Sequence, residues 1–211
     1  MGGIFNIDGK VYKFLEKIAN CLIVSVLWLF FSLPIFTIGA STTALYYTYH
    51  LSIQHSTGKL WGTFWNAFKS NFKQATALWL ILVLLIGFLL ADCYVCYILS
   101  DVYSELKILL IFFAVAMLFV IMWSQYWFAY IAHICDSVRV TLKNTLIMCI
   151  SHFPQSLLML IIVAICAAII YVIPNGILLL PCAPTICLLF TYRPLTRVFN
   201  LYWDVNTVEE N

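Results

Sequence analysis

The chain has 211 residues, of which 64% are hydrophobic and 9% are charged, and its net charge is +2. A soluble domain carries about 25% charged residues, so this composition excludes an ordinary soluble protein. The small net charge also gives no support for nucleic-acid binding. Two stretches without Asp, Glu, Lys or Arg, 18–58 and 144–192, are each long enough for two membrane-crossing helices of about 20 residues.

We therefore predict an all-α fold, a polytopic transmembrane helix bundle with about six spans and two cytoplasmic connecting helices. A lysine-rich amphipathic stretch leads into the first span, which ends where Pro34 breaks the helix. Gly39 is expected in a turn, after which a short second span runs back. The spans are predicted at 11–33, 40–54, 75–98, 108–133, 154–173 and 177–190, and the connecting helices at 57–74 and 134–153.

The connecting helix at 57–74 has a clear amphipathic pattern. Aromatic side chains recur at helical spacing on one face, and lysines occupy the other. A basic face opposite Trp and Phe is typical of a helix that lies in the headgroup plane, where it could also bind a partner protein. The candidate interface residues are Trp61, Phe64, Trp65, Phe68, Lys69, Phe72 and Lys73.

The distribution of basic residues predicts the orientation. With six spans and both termini in the cytoplasm, ten of the eleven Lys and Arg residues lie on the cytoplasmic side and only Lys107 lies outside. This is the asymmetry that the positive-inside rule describes. A single span within 18–58 would instead place the three N-terminal lysines outside, so six spans are favoured.

A weak internal repeat relates two parts of the chain. The sequence Asn71-Phe72-Lys73-Gln74 opens the third predicted span, and His152-Phe153-Pro154-Gln155 opens the fifth. Each unit would contain a descending span, a cytoplasmic helix and an ascending span, which is a parallel repeat about an axis along the membrane normal. Hydrophobic segments also resemble each other by chance, so both interpretations stay open.

The stretch Ser41–His50 places hydroxyl and aromatic groups inside hydrophobic sequence. These groups could bind a sugar or polyol, or they could pack the second span tightly against its neighbours. Packing is favoured, because transmembrane interfaces commonly use small and hydroxyl side chains. The residues of this face are Ser41, Thr42, Thr43, Tyr46, Tyr47, Tyr49 and His50.

The sequence predicts no catalytic residue, no cofactor and no metal site. It contains no phosphate-binding glycine loop and no nucleophile elbow, and it lacks the mid-span acids of a proton-coupled carrier. Cys93 and Cys96 have a redox or metal spacing without further ligands nearby. The histidines fit helix ends better than a metal or pH-sensing cluster. They are His50, His55, His133 and His152.

The run Leu33–Gly39, followed by Thr43–Tyr46, resembles the signature of the YesL-like family of bacterial integral membrane proteins, and Phe64–Thr76 resembles its second motif. That family is a domain of unknown function whose members are often encoded beside carbohydrate ABC importers and sensor histidine kinases. The resemblance implies a role near sugar uptake or its sensing in the bacterial cytoplasmic membrane. It implies no reaction and no catalytic residues.

These observations lead to one main hypothesis and two rivals. The main hypothesis is a non-enzymatic accessory membrane subunit of a carbohydrate ABC importer or its sensing system. Its partners would be importer permease or ATPase subunits, or a sensor kinase, within the lipid bilayer. The first rival is a stand-alone sugar or polyol channel or facilitator that uses the Ser41–Tyr49 face. The second is a membrane redox protein that uses Cys93 and Cys96.

Overall fold

The computed structural model describes residues 10–54, 59–100, 103, 105–134, 136–172 and 183–209. Within these residues the chain forms seven α-helices and no strand, which confirms the predicted all-α fold class. The helices are α1 (Lys10–Ser32), α2 (Ile38–Thr48), α3 (Leu60–Leu99), α4 (Leu106–His133), α5 (Val138–Ser151), α6 (Phe153–Val172) and α7 (Ala183–Glu209). A 3-10 turn, Ile35–Thr37, precedes α2, and a π-helix, Tyr49–Gln54, continues it.

Four of the described helices are long and apolar enough to cross a membrane, namely α1, α3, α4 and α6. Their outer surfaces expose large apolar side chains, among them Leu84 at 74% and Phe112 at 64% exposure. Apolar patches of this extent are rare on soluble monomers, whereas a bilayer solvates them at no cost. Sequence and structure therefore agree on a membrane protein.

The second and sixth predicted spans are not among these four helices. The second, 40–54, corresponds to α2 and the π-helix, which together cover only residues 38–54, fewer than the 20 or so residues of a typical span. The sixth, 177–190, begins outside the described residues, and α7 is described only from Ala183. The number of spans therefore stays a prediction.

α3 is one continuous helix of 40 residues, about 60 Å long at 1.5 Å per residue. The connecting helix predicted at 57–74 and the span predicted at 75–98 are therefore not separate helices, and the boundary placed between them was wrong. The reason is local, because Lys73, Gln74 and Ala75 all favour a helical backbone and nothing in this stretch interrupts the hydrogen-bond ladder.

At the corresponding point in the second half of the chain, the helix is interrupted. α5 ends at Ser151, His152 has φ −117° and ψ 45°, and α6 begins at Phe153. Pro154 follows in the first turn of α6, where it lacks an N–H donor and where its ring would clash with the carbonyl four residues earlier in a continuous helix. Lys73 stands where the repeat would place this proline, so the first unit contains one long helix where the second has two. The helix boundaries thus do not support an internal repeat of two equivalent units.

Two clusters of buried side chains form the core. The larger joins α1, α2, α3, α4 and the start of α7 and includes Phe64, Leu78 and Trp127. The smaller lies among α4, α5, α6 and α7 and includes Met148. Tyr46 of α2 packs against both clusters, so α2 occupies the centre of the bundle.

Candidate functional site

The polar segment, which we define as Ser41–His50, lies on α2 and the first two residues of the π-helix. Ser41, Thr43 and Thr48 are fully buried at 0% exposure, and Tyr49 is 2% exposed. The half-buried members are Thr42, Tyr46, Tyr47 and His50. The segment therefore faces other helices, and this placement favours the packing interpretation over a solute-binding face.

Gly39 explains how α2 comes so close to its neighbours. A Cβ atom at this position would lie 2.5 Å from the carbonyl oxygen of Ala75, 2.7 Å from Cβ of Trp79 and 2.9 Å from a ring carbon of Phe128. These separations are well inside van der Waals contact, so a larger residue would push α2 away from α3 and α4. The turn expected at Gly39 lies instead at Ile35–Thr37, and Gly39 is helical.

Two of the three threonine hydroxyls of the polar segment, those of Thr42 and Thr43, are bonded within the bundle. Thr42 Oγ1 donates to the carbonyl of Ile38 at 2.7 Å and accepts the indole N–H of Trp28 on α1 at 3.1 Å. Thr43 Oγ1 donates to the carbonyl of Gly39 at 3.1 Å. Such bonds satisfy hydroxyl groups inside an apolar bundle, and the bond from Trp28 also ties α2 to α1.

A group of rings surrounds the end of the polar segment. The His50 Nδ1 atom and the Tyr192 hydroxyl form a hydrogen bond of 2.5 Å, and the His50 and His133 rings meet edge to face, 4.7 Å apart between centroids. His152 lies apart at the end of α5, and His55 lies outside the described residues. In the part of the chain that the structure describes, no three His, Cys, Asp or Glu side chains could hold a metal ion.

Phe31, in the last turn of α1, is the centre of an aromatic cluster with the start of α3. Its ring centroid lies 6.1 Å from that of Trp61, 5.6 Å from Phe64, 5.4 Å from Trp65 and 5.0 Å from Phe68. Phe64 is 0% exposed and Phe68 8%. Phe64 and Phe68 of the aromatic face predicted to lie in the headgroup plane are therefore covered by the ring at the end of α1, whereas Trp61 is 58% exposed.

A polar network that the sequence analysis missed joins α3, α4 and α5. Gln74 Nε2 donates to the carbonyl of Asp136 at 2.6 Å and to Thr141 Oγ1 at 3.1 Å. The Tyr130 hydroxyl donates to Asp136 Oδ2 at 2.6 Å and accepts from Asn144 Nδ2 at 2.8 Å. The sequence signal was only the position of Gln74 and Asp136 beside apolar runs, because the partners of Gln74 lie more than 60 residues away along the chain.

The network places the start of α5 beside α3, so their exposed residues form one surface. We call it the basic surface and define it by four exposed cations, Lys69, Lys73, Arg139 and Lys143. Lys69 Nζ lies 4.6 Å from the ring centroid of Trp65, a cation–π distance. The same two helices also carry exposed apolar residues, Trp61 on α3 and Val140, Ile147 and Ile150 on α5. Of the predicted interface residues, Phe72 is half-buried, with its ring 5.4 Å from that of Phe68.

The cysteines in the described residues are free thiols. Cys93 and Cys96 lie three residues apart on α3, half-buried and buried respectively, and neither is in a disulfide. Cys149 of α5 is fully buried, and burial raises the pKa of its thiol against the opposing effect of a hydrogen bond with Ser156. A raised pKa lowers the reactive thiolate fraction, so Cys149 has the character of a packing residue.

Comparison with known proteins gives one match. The family described as "Protein of unknown function, DUF624" matches residues 21–93, a stretch that contains most of α1, all of α2 and most of α3. No curated protein and no solved structure matches the chain. The match covers the motifs at 33–46 and 64–76 and is consistent with the resemblance to the YesL-like family. The part of the chain that builds the buried polar segment is thus similar to a family of proteins of unknown function.

Proposed function

We propose that the protein is a non-enzymatic accessory subunit of a membrane complex, whose partner is a carbohydrate ABC importer or the system that senses its substrate. The observation that carries the proposal is the burial of the polar segment, in which Ser41, Thr43 and Thr48 are 0% exposed. If the polar groups of this segment serve to pack the helices together, the residues that carry the function should lie on the outer surface of the bundle. The class of partner comes from the resemblance to the YesL-like family.

We propose the basic surface as the contact with the partner. It combines Lys69 and Lys73 of α3 with Arg139 and Lys143 of α5, and α3 also carries the exposed Trp61. Trp and Arg are enriched in protein interfaces, where large rings fill pockets and guanidinium groups bond carboxylates. By the positive-inside rule, we place this surface and both termini in the cytoplasm of a bacterium, with the chain crossing the cytoplasmic membrane several times.

The alternative, a sugar or polyol facilitator, has one observation in its favour. Ser41 Oγ and Thr48 Oγ1 are buried without a hydrogen-bond partner among the described residues, and a solute hydroxyl would satisfy them. Both atoms lie on α2, whose Gly39 touches α3 and α4 at once. A solute would reach them only if α2 separated from those helices, so the accessory role is the better supported of the two.

Affinity purification from the native host in a mild detergent tests the proposal. A tagged chain is purified and the co-purifying proteins are identified and quantified by mass spectrometry. We expect permease or ATPase subunits of a carbohydrate importer, or a sensor kinase, in near-equal amounts with the bait. Recovery of the bait alone, or of the bait only with itself, would remove the support for an accessory role.

Charge reversal then tests the contact surface. The double variant Arg139→Glu/Lys143→Glu is expected to lower partner recovery about tenfold, because reversed charges repel a surface that previously attracted them. Lys107→Glu is the matched control, an exposed lysine at the opposite end of α4 from α5. Equal loss of partner in the control variant would show that the effect is not specific to the basic surface.

A further inference from the structure

A cavity of about 390 Å³ opens between α1, the π-helix and α7. Two cations and two phenol rings contribute to its wall, and no acidic side chain does so among the described residues. The lining residues are Lys17, Tyr49, Leu189, Phe190, Tyr192 and Arg193. Two cations close together without a carboxylate create a positive potential in the cavity, so its chemistry suits an anion.

The phenol rings form a fixed floor for this cavity. Tyr49 and Tyr192 are 2% and 8% exposed, and their ring centroids lie 4.9 Å apart in an edge-to-face arrangement. The Tyr192 hydroxyl is bonded to His50, and Lys17 Nζ lies 5.8 Å from the Tyr49 ring centroid. The Lys17 ammonium is thus positioned by a ring, whereas no carboxylate in the described residues is paired with it. It remains able to bind an anionic group.

The position of the cavity along the helices points to a lipid. Lys17 lies near the start of the apolar part of α1, which begins at Leu15, and Arg193 follows the apolar run of α7. Lys and Arg at such helix ends reach the level of the lipid phosphates. Leu189 and Phe190 form the outer wall and are 37% and 62% exposed, so an acyl chain could lie against them.

A second cavity of about 430 Å³ continues the basic wall between α6 and α7. It shares Phe190 and Arg193 with the first cavity and adds Arg197. The two cavities therefore flank one exposed ring and one guanidinium group. A headgroup in the first cavity would lie within a row of three cations, Lys17, Arg193 and Arg197.

We propose that the cavity between α1 and α7 binds the phosphate group of an anionic phospholipid. Lys17 and Arg193 hold the phosphate, and the acyl chains run outward past Leu189 and Phe190. A free phosphate ion presents the same oxygens to the two cations, so the test must separate the two sources. This site is independent of the proposed accessory function, because it faces the bilayer at α1 and α7 and involves no residue of the basic surface.

The full chain in detergent is titrated with phosphatidylglycerol, with phosphatidylcholine and with inorganic phosphate, while its unfolding is followed by tryptophan fluorescence. A ligand that binds only the folded state raises the unfolding temperature. We expect phosphatidylglycerol to raise it and the other two to have little effect. Equal stabilisation by both lipids would contradict the proposal. Stabilisation by inorganic phosphate alone would assign the cavity to a free anion and overturn the lipid assignment.

Variants of the two cations test whether phosphatidylglycerol binds in this cavity. Lys17→Gln/Arg193→Gln should bind phosphatidylglycerol about thirtyfold more weakly, because each basic residue near an anionic headgroup contributes about 1 kcal/mol. Lys107→Gln, which removes an exposed lysine at the start of α4, should bind as the wild type does. Unchanged affinity in the double variant would overturn the site. Should that variant fail to fold, native mass spectrometry of the wild type decides, with preferential retention of phosphatidylglycerol over phosphatidylcholine expected and equal retention contradicting the site.

Discussion

At the scale of single residues, side-chain size decides how the helices meet. A Cβ atom at Gly39 would lie less than 3 Å from the carbonyl oxygen of Ala75 and from the side chains of Trp79 and Phe128. In membranes such small residues allow close backbone approach, which adds van der Waals contact between helices. The sequence showed that Gly39 was unusual, but a glycine in a turn and a glycine at a helix contact look identical in sequence.

Replacing Gly39 with alanine is expected to destabilise the protein by about 1–3 kcal/mol, the usual cost of forcing an extra carbon into a packed site. Gly62→Ala is the control, because a Cβ there meets nothing within 4 Å. That change should leave stability unchanged or raise it slightly through better helix propensity. Thermal unfolding in detergent, followed by circular dichroism, measures both. Similar midpoints for the two variants would show that Gly39 is not at a tight contact.

At the scale of helices, the sequence predicted which segments form apolar helices better than it predicted which helices contact each other. The apolar runs correctly identified α1, α3, α4 and α6 as helices able to cross a membrane. The aromatic periodicity predicted within 57–74 also belongs to a helix, the start of α3, and Phe64 and Phe68 of that face pack on Phe31. A helix that packs on protein and a helix that lies among headgroups both need Phe and Trp on one face, and only the partner distinguishes them. That partner, Phe31, lies more than 30 residues from Phe64 along the chain.

The contact between α1 and α3 is directly testable. In a background without native cysteines, Phe31→Cys/Phe68→Cys should be joined by a short bifunctional maleimide, since the two native rings are 5.0 Å apart between centroids. Phe31→Cys/Phe88→Cys is the control, because Phe88 is exposed and lies 20 residues further along α3, about 30 Å away. Cross-linking is read as a mobility shift under non-reducing conditions. No cross-link in the first pair would mean that α1 ends elsewhere.

At the scale of the whole molecule, this contact bears on topology. The six-span arrangement puts the residues after α1 outside the cell and the start of α3 inside, whereas Phe31 and Phe68 touch. This contact does not fit the six-span arrangement, so the number of spans stays a prediction.

We propose that the polar segment packs the bundle together and that the outer surface is left to bind a partner. This proposal rests on the complete burial of Ser41 and Thr43 between helices. A channel or facilitator would instead present these residues to water along its path. The two accounts therefore differ in whether a water-soluble reagent can reach them.

Thiol labelling measures whether a water-soluble reagent reaches the polar segment. Ser41→Cys and Thr43→Cys are introduced separately into a background without native cysteines, and a small charged maleimide is applied to the protein in liposomes. We expect labelling at least ten times slower than at Lys69→Cys, since Lys69 is exposed and both hydroxyl positions are 0% exposed. Labelling of Ser41→Cys or Thr43→Cys as fast as that control would contradict the account and make the polar segment a water-lined path for a solute.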